Sequence, residues 1–335
     1  TFYGSQGEDY VGGAALELDS YLWLVGTSDS SWKGPAYANF PKNAHAGGKD
    51  IAVLILESSG AYNLHTFWGS SSDDYGKAVA VDISGLAYFT GYSQATWGTP
   101  KHAHSGGMDL SVFKLDDNGT FFWNTFYGSS GDDYGYDLEI DSNSNIYISG
   151  SSPQSWNGPT GQTPVYPYRG STDELALVLT SAGNYSAHSF FGSEEADSAA
   201  GVACKANGQA AVVGTNLVEW FGPAGEAAVF PTHGAASMST ISLHSNLQYQ
   251  WHTFVDFDLA VDWSDQSQDI AITSDGSSVV VGLTHVNFKG DKNQLPLNAY
   301  SEGADDLFIL KLDPNGEYLW HAIYGGLEND HARGV

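Results

Sequence analysis

Thr125-Phe126-Tyr127-Gly128-Ser129-Ser130-Gly131-Asp132-Asp133-Tyr134-Gly135 is the stretch whose recurrence decides the fold. Partial copies begin at Thr1, Thr66, Ser189, Thr253 and Ala322, so successive starts lie 65, 59, 64, 64 and 69 residues apart. Self-similarity at a nearly fixed spacing marks a repeat architecture. Between two markers the hydrophobic pattern shows four short runs, here called A to D. In the third unit these are 135–141, 146–150, 174–179 and 185–191. The runs are short and alternating, are joined by Gly/Asn/Ser turns, and lack capped helical periodicity, which predicts antiparallel β-meanders. A four-stranded unit repeated at this period is the pattern of a β-propeller, whose radial blades leave only short sheet edges.

The predicted fold is therefore all-β: one propeller domain over 1–335, with five complete repeats plus terminal strands of a further blade. Six D-like and six A-like segments stand against five B and five C segments. That count favours a ring of six or seven blades and leaves five open. Because the chain starts and stops inside repeats, it reads as a piece of a longer or processed protein.

Composition agrees with this and narrows the partners. Forty glycines and 13% aromatic residues suit many tight turns around a substantial core. The net charge of −27 opposes phosphate backbones and anionic membranes, so no nucleic-acid partner is expected. No apolar run is long enough to span a bilayer, so no membrane insertion is expected. A single cysteine, Cys204, allows no intrachain disulfide.

Blocks such as Lys114-Leu115-Asp116-Asp117-Asn118-Gly119, Lys311-Leu312-Asp313-Pro314-Asn315-Gly316 and Tyr127-Gly128-Ser129-Ser130-Gly131-Asp132-Asp133 resemble the bacterial-type β-propeller repeat called SBBP. The resemblance spans nearly the whole chain. It implies a propeller fold and extracellular or cell-surface proteins of mostly undefined activity. Units four and five depart from the pattern, with Lys205 and Thr273 where Asp82 and Asp141 end strand A.

Three sets of residues recur. The marker aspartates are Asp9, Asp74, Asp133, Asp197, Asp265 and Asp330. A carboxylate in a Gly/Ser-rich turn can accept backbone N–H bonds and fix the start of strand A. The alternative is calcium, which favours clustered oxygen ligands, although no EF-hand spacing is present. Trp32, Trp97, Trp156 and Trp220 follow strand B in the long loops. They are either wedges buried against the blades or, if exposed, platforms for stacking sugars. Asn118 and Asn184 head glycosylation sequons at matching C–D hairpins. His65, His188, His252 and His321 recur once per blade before the marker, with Asn124 in the remaining unit. Their separation around a propeller opposes a shared metal, and no metal site is assigned.

Motifs of acyl-transfer, zinc-protease and phosphate-binding enzymes are absent. The sequence thus points to a non-catalytic extracellular structural or interaction module, serving surface architecture, adhesion or filament assembly through other protein subunits or self-assembly. The alternatives are a carbohydrate-binding propeller using the Trp loops, with glycans as partners, or a channel-site glycoside hydrolase or lyase.

Overall fold

The computed structural model describes residues 3–17, 20–35, 38–231, 237–256, 266–300 and 305–335, with Asp256 described by its backbone alone. Its twenty elements are all strands, taken four at a time in chain order into five antiparallel sheets. The first blade is β1 (Asp9–Glu17), β2 (Tyr21–Ser28), β3 (Asp50–Glu57) and β4 (Tyr62–Trp68). The second is β5 (Asp74–Val81), β6 (Ala87–Ser93), β7 (Asp109–Leu115) and β8 (Phe121–Tyr127). The third is β9 (Tyr134–Ile140), β10 (Ile146–Ser152), β11 (Asp173–Leu179) and β12 (Tyr185–Phe191). The fourth is β13 (Asp197–Cys204), β14 (Ala210–Asn216), β15 (Ser237–Leu243) and β16 (Tyr249–Asp256). The fifth is β17 (Gln266–Ile272), β18 (Ser278–Thr284), β19 (Asp306–Leu312) and β20 (Tyr318–Tyr324).

This is the all-β propeller that the repeat spacing predicts. The markers at the two ends add no strand among the described residues, since 3–8 and 325–335 are bends and irregular backbone. The described residues therefore form five blades.

Two compact units divide the chain. One comprises Thr1–Thr160 with Leu179–Tyr185, the other Gly161–Val178 with Ser186–Val335. In the first, Trp23, Val25, Ile51 and Val53 of one blade pack with Val79, Phe89 and Phe113 of the next. In the second, Val213, Met238 and Val255 meet Ile270, Val280 and Phe308 in the same way. Each such side chain contributes roughly 1.5–3 kcal/mol on full burial, so the junctions between blades carry the core.

One irregularity recurs in every A–B pair. The register shifts by one residue at Gly12, Lys77, Tyr136, Ala200 and Gln268. The bulge explains the glycine inside each B strand: a methyl on Gly91 would lie 1.8 Å from the Tyr75 carbonyl oxygen. A bulge also re-aims the side chains beside it, which shapes the site described next.

Candidate functional site

Among the described markers, Asp9, Asp74, Asp133 and Asp197 lie where strand A opens, while no strand follows Asp330. Asp74 Oδ2 accepts the Ser70 backbone N–H at 2.6 Å and the Ser70 hydroxyl at 2.9 Å. Asp133 repeats this with Ser129 at 2.7 and 2.8 Å, and Asp197 with Ser193 at 2.6 and 2.9 Å. Asp9 does the same with Ser5 at 2.7 and 2.9 Å, and Asp330 accepts the Gly326 N–H at 2.7 Å. In Asp9 and Asp133 the second oxygen is also taken, by the Ser28 and Ser152 hydroxyls. Asp265 lies outside the described residues.

The preceding acid of the pair has a separate task. Asp73 and Asp132 accept the backbone N–H groups of Lys49 at 3.0 Å and Met108 at 2.9 Å, tying down the end of the B–C loop. Among the described residues, no three His, Cys, Asp or Glu side chains form a metal cluster.

Facing Asp74, Asp133 and Asp197 are Asp50, Asp109 and Asp173, which open the strand C of the preceding blade. A methyl on Gly69 would lie 2.8 Å from both Asp50 Oδ1 and Asp74 Oδ2. On Gly128 it would lie 2.6 Å from Asp109 Oδ1 and 2.9 Å from Asp133 Oδ2. These carboxylates are fully buried. Burial pushes Asp74 and Asp109 up to about 6, and the neighbouring aspartate of each pair adds to the rise. The glycine of the marker is thus fixed by two converging carboxylates.

The tryptophans are buried, which corrects the sugar-stacking expectation. Trp32, Trp97, Trp156 and Trp220 are 8%, 6%, 8% and 4% exposed. Trp32 stacks on His65 at 3.8 Å, and Trp220 on His252 at 4.1 Å. The histidine completes the arrangement. His65 Nε2 donates to the Trp32 carbonyl at 3.0 Å, and His252 Nε2 to that of Trp220 at 3.0 Å. The hydroxyls of Tyr62 and Tyr249 donate to the Nδ1 atoms at 2.8 and 2.6 Å. In the second blade Asn124 Nδ2 makes the equivalent bond to the Trp97 carbonyl, at 2.7 Å. Indole and imidazole together pin the long loop to strand D. A sugar has no ring face to reach.

Asn118 and Asn184, the sequon residues, are exposed at their hairpins. The Asn184 side-chain oxygen accepts Lys101 Nζ at 3.3 Å.

A strip of tyrosines occupies the first unit, and the sequence reading passed over it. Tyr10, Tyr75 and Tyr134 each follow a marker aspartate, Tyr92 lies near the end of β6, and Tyr136 is a bulge residue. Tyr75 and Tyr92 have ring centroids 4.8 Å apart, as do Tyr92 and Tyr134, and Tyr136 stacks on Tyr134 at 5.9 Å. Tyr10 is 56% exposed and the other four are half-buried.

Two ammonium groups already sit on these rings. Lys49 Nζ lies 5.6 Å from the Tyr10 centroid and 5.7 Å from that of Tyr75, with Glu8 Oε2 at 3.5 Å. Lys77, another bulge residue, places its Nζ 5.3 Å from the Tyr92 centroid. Carboxylates border the strip: the Tyr10 hydroxyl donates to Glu8 at 3.0 Å and that of Tyr75 to Asp73 at 3.4 Å. In the second unit Ser198 and Gln266 hold the positions of these tyrosines, so the strip is confined to the first. The Asp-Tyr dipeptide, present at three of the six markers and missing from the other three, was its signal.

No family model and no curated protein matches the chain. Solved structures with a similar course include a protein of unknown function from Bacteroides caccae, 9% identical over 91% of this chain and 94% of that one, with a TM-score of 0.38. A gluconolactonase from Xanthomonas campestris is 10% identical over 94% and 82%, with a TM-score of 0.38. A glucose dehydrogenase is 11% identical over 82% and 96%, with a TM-score of 0.29. The expectation of a non-catalytic extracellular structural module is corrected at this point: these solved structures include enzymes, and a non-catalytic role finds no support among them. Identities this low transfer no activity to this chain.

Proposed function

We propose that the chain binds ligands carrying primary ammonium groups on the tyrosine strip of its first unit. The observation that carries this reading is the Lys49 ammonium, held between the rings of Tyr10 and Tyr75 and beside Glu8. The chain's own side chain displays the contact that a ligand's ammonium would make. Ring faces attract cations within about 6 Å, and adjacent carboxylates strengthen the attraction. A packing need common to all blades would recur in the second unit, where Ser198 and Gln266 stand instead. The net charge of −27 draws cationic ligands toward this surface from a distance.

Isothermal titration with spermidine and with trilysine, against triglycine as the neutral control, tests the proposal. Tyr10→Ala, at an exposed ring, should weaken both cationic ligands about two- to fivefold. Raising the salt should weaken them further. Equal binding of triglycine, or affinities indifferent to Tyr10→Ala, would overturn it.

A further inference from the structure

The second unit contains an acidic cluster that breaks the repeat. The second residue of strand C is Ile51, Leu110, Met238 and Leu307 in four blades, but Glu174 in the third, where it is wholly buried. Packing at this position is met by an apolar side chain in every other blade. Glu174 Oε1 accepts Asn216 Nδ2 at 2.6 Å and the Ser239 hydroxyl at 2.6 Å. Its other oxygen, Oε2, is buried without a hydrogen-bond partner.

Two more buried oxygens without partners stand on neighbouring strands, Asp197 Oδ1 and Ser237 Oγ. The ladder places both beside Asn216, since Asp197 pairs with Asn216 across β13 and β14, and Asn216 with Ser237 across β14 and β15. Asp173 adds a third carboxylate, because a methyl on Gly192 would lie 2.6 Å from Asp197 Oδ2 and 3.2 Å from Asp173 Oδ1. The Asp173 oxygens are already engaged by the backbone N–H groups of Arg169 at 2.7 Å and Gly170 at 3.2 Å. Two carboxylate oxygens and one hydroxyl are therefore left over, in a place that bulk water does not reach.

Buried polar atoms are almost always satisfied, and carboxylates left unpaired in a protein interior are costly. We propose that Glu174, Asp197 and Ser237 hold a calcium ion, with Asn216 and Ser239 orienting Glu174. The donors are oxygens only, two of them anionic, which suits a hard divalent cation over a soft transition metal. Fewer than three acidic side chains act as ligands, in keeping with the absence of a larger cluster among the described residues. The site is independent of the tyrosine strip, which lies in the other unit.

The test uses the full chain freed of metal by chelation and then titrated with calcium chloride. The melting temperature should rise by about 5 °C when free calcium reaches a hundred times the dissociation constant. Terbium, a calcium surrogate, should luminesce on excitation of tryptophan, because Trp220 Nε1 donates to Asn216 Oδ1 at 3.0 Å. Glu174→Leu, which restores the residue type of the other blades, and Glu174→Gln should each abolish both signals. Absence of a calcium shift and of terbium emission in the unaltered chain would overturn the proposal. So would signals that persist in both variants, since the ion would then lie elsewhere.

Discussion

His321→Asn isolates the acid sensitivity built into the loop pins. His321 is wholly buried, stacks on Phe288 at 4.1 Å, donates from Nε2 to the Phe288 carbonyl at 3.1 Å and accepts the Tyr318 hydroxyl at 2.7 Å. Burial lowers its pKa from 6.5 to about 4. The folded state therefore keeps the ring neutral while the unfolded chain takes up a proton. Stability from this group is complete above pH 6.5 and is lost as the pH falls toward 4. At about 1.4 kcal/mol per unit, the whole window is worth about 3 kcal/mol. Asparagine is the residue that the second blade uses, where Asn124 makes the same carbonyl bond without titrating.

Urea unfolding followed by tryptophan fluorescence at pH 7.5, 6.0, 5.0 and 4.5 provides the assay. The variant should lose some stability at pH 7.5, from lost stacking, and should fall less steeply on acidification, by up to about 1.4 kcal/mol per pH unit. The difference between the two chains is what matters, because Asp74 and Asp109, raised to about 6, change stability in the opposite direction. Parallel curves for the two chains would refute the reasoning.

Gly128→Ala should cost roughly 1–3 kcal/mol in urea unfolding, since its methyl would meet Asp109 Oδ1 at 2.6 Å and Asp133 Oδ2 at 2.9 Å. Asp109→Asn removes a carboxyl whose folded pKa is raised by burial from 3.8 to about 6. Its contribution is complete below 3.8 and lost as the pH rises through 6, so the variant should lose less stability than the unaltered chain between pH 4 and pH 7. Trp97→Ala should destabilise by roughly 3–5 kcal/mol, seen as a lower urea midpoint, and leave the affinity for trilysine unchanged in protein that remains folded.

The blade plan was legible because each repeat encodes it locally. Alternating apolar runs, Gly/Asn/Ser turns and the marker spacing place the third unit's strands to within two residues. The A–B bulge was harder to see, since Gly91 and Gly150 read as the ends of their strands. In fact they are interior positions made necessary by the facing Tyr75 and Tyr134 carbonyls, and each strand runs two residues further. The aspartates were visible as turn-fixing groups, but their strand C partners Asp50 and Asp109 were not. That pairing joins residues about 24 apart across a blade junction, and no local pattern announces it. The local spacing of Trp32 and Trp220 does not by itself separate burial from exposure. Stacking on His65 and His252 decides between them. Glu174 shows the complementary lesson: one acidic residue in a column of apolar ones points to a site only once its neighbours across three strands are known.

Replacing Lys49 tests the central claim most directly, because its ammonium occupies the position that a ligand's ammonium would take between Tyr10 and Tyr75. Calorimetric titration of trilysine into Lys49→Ala should show binding tightened about fivefold over the unaltered chain, as the internal competitor is removed. Unchanged or weaker binding in Lys49→Ala would contradict the account.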